Sequence, residues 1–143
     1  MNDFDQLAGI CPGVSTVREV TSRFGAAARS EASEGGFLLH FESYGICIVV
    51  ARAERDAPDP LVDEVLLTAP SERKLPCGIG VGHDKADALA MLKRSYRITD
   101  EFDDAIYFLP CSRDDLLASV EFRAEEVVVG LELMLRGEGR FEQ

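Results

Sequence analysis

The sequence predicts an α+β fold made of two tandem copies of one unit, each a helix or helix-loop-helix followed by an antiparallel three- or four-stranded sheet. Three observations carry that prediction. Gly9-Ile10-Cys11-Pro12-Gly13-Val14-Ser15 and Gly78-Ile79-Gly80-Val81-Gly82-His83-Asp84 say nearly the same thing. Each opens a short segment with apolar residues at helical spacing, and each segment gives way to alternation of period two. Sliding the chain on itself by 69 residues sets Gly9 on Gly78, Ile10 on Ile79, Gly13 on Gly82, Ser15 on Asp84 and Val20 on Leu89 without a gap.

Taken in order, Phe4 and Leu7 fit one helical turn before the first copy of the motif. Thr16-Val17-Arg18-Glu19 is a capping box, in which Thr16 accepts a backbone N–H and Glu19 reaches back to the cap. Val17, Val20 and Phe24 then share one face of a helix that stops at Gly25. Residues 37–42 alternate, Tyr44-Gly45 can turn, and residues 46–52 alternate again, which reads as a hairpin. Residues 55–60, with two prolines and two aspartates, form a loop, and residues 61–68 a third strand.

Residues 71–76 form the polar linker between a first repeat over 1–70 and a second over 77–136. In the second, Asp84 is the N-cap, and Leu89, Leu92 and Tyr96, supported by Ala86 and Ala90, make the apolar helix face. Residues 104–110, 116–123 and 126–135 are its strands, the last with Val127, Val129, Leu131, Leu133 and Leu135 on one face. Residues 137–143 have nothing to pack on and form a disordered tail.

A chain of 143 residues, 46% apolar, can bury a core, and its net charge of −11 opposes binding to nucleic-acid phosphates. The same field favours a basic protein partner. The acidic opening Met1-Asn2-Asp3-Phe4-Asp5 is unlike a secretory leader, and no apolar run reaches membrane-spanning length, so a cytoplasmic location without membrane partners is expected. Cys11, Cys47, Cys77 and Cys111 lie about thirty residues apart with no C-x-x-C spacing, which argues against zinc and, in the cytosol, for reduced, incidental thiols.

A helix opened by a Ser/Thr-type cap after glycine and closed near a glycine, then a hairpin with an aromatic strand and a V-x-E-V-like strand, occurring twice, resembles the tandem-repeat fold of the β-lactamase inhibitory proteins. The single unit is similar to that of the small lipoproteins of the outer-membrane barrel-assembly machinery. The resemblance covers about residues 9–70 and 77–136 and implies a protein-binding module rather than an enzyme.

No catalytic test succeeds. Gly78-Ile79-Gly80-Val81-Gly82 has His83 where the last glycine of a dinucleotide loop would stand, and Asp84 would repel phosphate. Gly13-Val14-Ser15-Thr16-Val17 lacks the closing glycine of a nucleophile elbow. His40 lies between Leu39 and Phe41 in a strand, and His83 just before a helix cap. The regular calcium loop is missing, so neither metal nor cofactor is expected. Asp100-Glu101-Phe102-Asp103-Asp104 packs four acids and one aromatic with no cation between them.

A solvated loop explains this cluster, and so does a contact surface for a basic protein, with Phe102 and Tyr107 as apolar anchors. The function expected is that of a non-catalytic cytosolic binding module, an inhibitor or immunity protein, using Asp100, Glu101, Phe102, Asp103, Asp104 and Tyr107, with Phe41 and Tyr44 on the sheet. The competing readings are a small-molecule binder or enzyme with a pocket between the repeats near His40, His83 and a cysteine, and a scaffold subunit whose open sheets pair into a homodimer.

Overall fold

The computed structural model describes residues 2–33, 36–50, 59–123 and 126–136. Helix α1 (Val17–Phe24) is followed by strands β1 (Arg29–Ser33), β2 (Gly36–Phe41), β3 (Ile46–Val50) and β4 (Glu64–Leu67). Helix α2 (Lys85–Ser95) is followed by β5 (Arg97–Glu101), β6 (Ala105–Leu109), β7 (Leu116–Arg123) and β8 (Val127–Leu135). The strands form one antiparallel sheet of eight in the order β1-β2-β3-β4-β8-β7-β6-β5.

This corrects the expected α+β architecture of two tandem helix-plus-sheet units. The fold is dominated by a single sheet carrying two short helices, and the join is made by β4 and β8, which pair from Glu64↔Met134 to Leu67↔Leu131. The physical reason lies in the edges. A four-stranded sheet ending at β4 or β8 would leave the backbone donors and acceptors of an apolar strand unpaired, and each strand satisfies the other's. Alternation along the sequence specifies strands and their faces but not which strand lies next to which.

Two ladders of apolar side chains cross the covered face. Phe41, Ile46, Leu67, Leu131, Val120 and Ile106 are successive register partners across six strands. Beside them run Leu39, Ile48, Val65, Leu133, Ala118, Phe108 and Ile98. The helices cover these ladders, with Val20 and Phe24 of α1 and Ala88 and Leu92 of α2 in the same core cluster. Ala86 and Ala90, expected on the α2 apolar face, are exposed; Ala88 holds the place between them.

The capping box of α1 forms as read, with Thr16 Oγ1 accepting from the Glu19 N–H at 3.2 Å and the Thr16 N–H donating to Glu19 Oε1 at 3.0 Å. In α2, Asp84 accepts from the backbone N–H groups of Ala86 and Asp87. Both helix starts are also tied by backbone hydrogen bonds to distant chain, the first to the lead-in to β4 and the second to β8. The Gly13 N–H donates to Val62 and the Val62 N–H to Ser15; correspondingly, the Gly82 N–H donates to Val128 and the Val128 N–H to His83. Ser15 therefore matches His83 rather than Asp84, and the ungapped alignment slips by one residue after the second glycine.

Phe4 and Leu7 do not make a helical turn. Leu7 and Ile10 close a tight bridge on each other, and Phe4 crosses to the far half of the molecule, where its N–H donates to the Pro110 carbonyl at 3.0 Å. Its ring packs edge-on to Tyr96 at 5.8 Å and against Phe108 at 6.2 Å. The Tyr96 hydroxyl donates to the Asn2 carbonyl at 2.6 Å, so this segment roofs the aromatic end of the core. The loop over 55–58, the end of the strand expected over 46–52, and the tail over 137–143 lie outside the described residues.

The β2–β3 connection turns at Gly45, whose φ of 67° is left-handed. A Cβ there would collide with the Thr68 carbonyl and lie 2.7 Å from the Ser71 nitrogen, both backbone atoms that cannot swing aside. Gly45→Ala is expected to cost at least about 2 kcal/mol in urea unfolding, through strain at the turn and displacement of the 68–71 segment. A loss below about 0.5 kcal/mol, the range of ordinary surface substitutions, would mean that the turn reorganises freely.

Candidate functional site: the open face of the sheet

The face away from the helices carries a row that crosses all eight strands: Arg29, His40, Cys47, Leu66, Glu132, Ser119, Tyr107 and Asp100, each the register partner of the next. Its two ends differ in charge. Arg29 and His40 stand at one end and share Glu31, at 2.7 Å from the guanidinium and 2.6 Å from His40 Nε2. The other end is acidic and aromatic.

Two irregularities aim that acidic end. Between Ile98 and Asp100 the register shifts: Ile98 pairs with Phe108 on the core side and Asp100 with Tyr107 on the open side. Thr99 is the extra residue of a β-bulge; regular alternation through Thr99 would have set Asp100 on the same side as Ile98, facing the helices. The second shift lies between Glu121 and Phe122, which pair with Gly130 and Val128, leaving Val129 as the extra residue. Val128 is consequently the core residue, and Val127 and Val129, expected to share a face with Leu131 and Leu133, are not in the core cluster.

Gly130 also makes room. A Cβ on it would lie 2.7 Å from Glu121 Oε1 and 3.4 Å from a Leu66 methyl, so the Glu121 side chain rests on the bare backbone of β8. Burial there, reinforced by the charges of Glu132 and Asp104, raises the Glu121 carboxyl above the usual carboxylate range. Among the described residues no cation pairs with Glu121. Glu132 accepts from the Ser119 hydroxyl at 2.9 Å, and Ser119 is itself buried. Burial, with Glu132, Glu121, Glu64 and Asp104 adding repulsion, also raises the Tyr107 phenol.

The acidic cluster 100–104 is not one loop. Asp100 and Glu101 end edge strand β5 and the rest form the turn into β6. Asp100 faces the open side beside Tyr107, whereas Glu101 reaches Lys93 of α2 at 3.5 Å. The Asp103 carbonyl accepts from Lys85 Nζ at 2.8 Å, and the Asp104 carbonyl from the Phe122 N–H. Phe102 is 55% exposed and meets Tyr107 edge to face, with ring centres 6.0 Å apart.

The other two expected contact residues lie elsewhere. Phe41 is 2% exposed, on the core side, so it cannot reach a partner. Tyr44 sits in the 3-10 turn between β2 and β3 and packs edge-on to Phe24 of α1 at 5.1 Å. Three strands separate β3 from β6, which places that turn about 19 Å from Tyr107 at about 4.8 Å per strand. The missed residues are Glu121 and Glu132. Their signal was Gly130, a glycine inside a largely apolar strand, which marks a bulge or a close approach.

The Ser15 hydroxyl accepts from the Cys11 N–H at 2.9 Å, beside the start of α1. The Gly78 and Gly82 N–H groups donate to the Leu75 and Val128 carbonyls, so the glycine-rich segment is a turn around buried Ile79. His40 lines a depression with Arg29, Glu42 and Cys47, while His83 lies at the start of α2. All four cysteines are free. Burial raises the Cys11 thiol despite Arg113 at 3.6 Å, and burial with Glu64 and Glu31 pushes Cys47 up to about 11, so neither is activated.

No known family model matches the chain, and no curated protein matches it. Among solved structures, it is similar to an extracellular protein containing a SCP domain from Bacillus anthracis str. Ames, at 1.5 Å resolution, with a TM-score of 0.57 and 14% identity. The match takes in 92% of this chain and 46% of that one, so this chain spans about half the length of its structural relative. The likeness is one of fold alone.

The raised Glu121 carboxyl has a testable sign. A carboxyl that holds its proton more tightly when folded adds stability below the ordinary glutamate range, and that contribution is lost as pH rises through the folded-state value. Glu121→Gln is therefore expected to be more stable than the natural protein at pH 7.5, by less than about 1 kcal/mol because water still reaches the group. The advantage should vanish near pH 4. Melting temperatures at the two pH values decide the matter, and an equal gain at both would assign the effect to packing rather than charge.

Proposed function

We propose that this chain is a non-catalytic protein-binding module that docks a basic region of another protein on the β5–β8 half of its open sheet face, as an inhibitor or immunity protein would. The observation that carries the reading is the company Glu121 and Glu132 keep. They stand on adjacent strands, partly withdrawn from water, among Leu66, Leu117 and Tyr107, with Asp100 and Asp104 at the margin. Carboxylates on an apolar ground gain most when a cation covers them, because the site is already partly desolvated. The net charge of −11 adds long-range attraction for the same class of partner.

The alternatives draw less support. Two β5–β8 halves of this face laid on each other in a homodimer would oppose like charges. A catalytic role near His40 would need a free imidazole and an activated thiol, and His40 is held by Glu31 while Cys47 is pushed away from thiolate. Four free cysteines fit a reducing compartment, which supports the cytoplasm as the setting of this module.

The test is a pull-down from native lysate followed by kinetics with the recovered partner. Glu121→Lys with Glu132→Lys is expected to cut affinity at least about tenfold while the variant stays folded, since reversing charges in a partly desolvated contact costs upward of about 2 kcal/mol. The association rate should fall steeply between about 50 and 500 mM salt, over which screening shortens from above 10 Å to a few Å. Affinity indifferent to both changes would remove the open face from the interface.

A further inference from the structure

On the reading that the open face meets a basic protein, the geometry points to a specific seat on it: we propose that the depression lined by Asp100, Phe102, Tyr107, Leu117 and Arg136 receives one arginine or lysine side chain of that partner. The depression measures about 370 Å3 and opens outward at the β5–β7 end of the sheet. Its volume lies at the lower end of sites that hold small organic groups, about 300–1,000 Å3, which suits a single long side chain.

Three features select a cation. The rings of Phe102 and Tyr107 touch edge to face at 87° to each other, so they form an aromatic corner against which an entering side chain can lie on a ring face. An aromatic face attracts a cation within about 6 Å of its centre, and Leu117 supplies apolar wall for the aliphatic stem. Asp100 lies at the acidic end, directly opposite Tyr107 across the β5–β6 ladder. The surrounding field has the same sign, since Asp104, Glu121 and Glu132 all act on the Tyr107 phenol. Phe102 is among the most exposed large apolar side chains of the described residues, an arrangement that water does not favour and a covering stem would.

Arg136 is the one opposing group on the wall. Its backbone N–H donates to the Asp115 carbonyl, which fixes the chain at the end of β8 and keeps the residue at the margin of the depression. A cation entering the seat is repelled by Arg136, whereas an anion would be held by it. The sign of an Arg136 substitution therefore identifies the occupant.

The experiment titrates the full 15N-labelled chain with Nα-acetyl-arginine amide, followed by amide shifts, with the matching glutamine and glutamate compounds as neutral and anionic probes. The arginine compound should give saturable shifts confined to residues around Asp100, Phe102, Tyr107 and Leu117. Asp100→Asn and Phe102→Ala, both at exposed positions where the fold survives, should each weaken it about threefold or more, and Arg136→Gln should tighten it. Equal response to the glutamine compound, shifts elsewhere on the sheet, or tighter binding of the glutamate compound that Arg136→Gln abolishes would each overturn the proposal. The natural partner separates the two levels. Unchanged partner affinity in Asp100→Asn with Phe102→Ala, against a loss in Glu121→Lys with Glu132→Lys, overturns the seat and leaves open-face docking in place.

Discussion

Everything on both faces depends on the backbone pairing of β4 with β8. Four residue pairs, Glu64↔Met134 to Leu67↔Leu131, turn strands from distant parts of the chain into the middle of one sheet. On the covered side the pairing makes the apolar ladders continuous, so that Phe41 and Ile106 lie at opposite ends of a single row and α1 and α2 close the same core. On the open side it sets Leu66 beside Glu132 and Glu64 beside Met134, so that the acidic surface continues onto β4 through Glu64. A sheet cut at this seam would lose its largest shared hydrophobic layer and gain two exposed edges.

Within that frame, two extra residues decide the chemistry of the exposed surface. Thr99 and Val129 each reverse the alternation of their strand, and the reversals act in concert: one brings Asp100 to the side of Tyr107, the other sets Glu121 over Gly130 while Val128 and Leu131 both keep to the core. Bulges cost ladder hydrogen bonds and are retained where a side chain has to be re-aimed. The acidic and aromatic end of the open face is thus a product of broken periodicity.

The same fact explains what could be read from residues alone. The helix starts at Thr16 and Asp84, the turn at Gly45 and the strands near 37–41, 46–50, 105–109 and 116–123 follow from local rules of capping, turning and alternation, and these rules act within a few residues. Strands β1 and β5 escaped because Arg-Ser-Glu-Ala-Ser and Arg-Ile-Thr-Asp-Glu carry almost no apolar period; as edge strands they have little to bury. Gly35-Gly36, between one polar and one apolar run, was the available hairpin signal. The merged sheet, the inward turn of Phe41 and the division of the acids between two faces are set by long-range register, which no local pattern encodes. Asp100, Phe102 and Tyr107 do come together, while Tyr44 belongs with α1.

The crossing of Asn2 and Phe4 to the aromatic end of the core has a consequence for how the molecule is assembled. The hydrogen bond from Tyr96 to Asn2 joins residues 94 apart in sequence, so the cluster of Phe4, Tyr96 and Phe108 is completed by chain made before and after nearly the whole intervening fold. Closing so long a loop is entropically expensive and brings its reward late. The segment works as a clasp: α2 and β6 can collapse without it, but their aromatic end stays wet until it returns. Slow, late protection of the Tyr96–Phe108 region against hydrogen exchange is the kinetic trace that such a closure leaves.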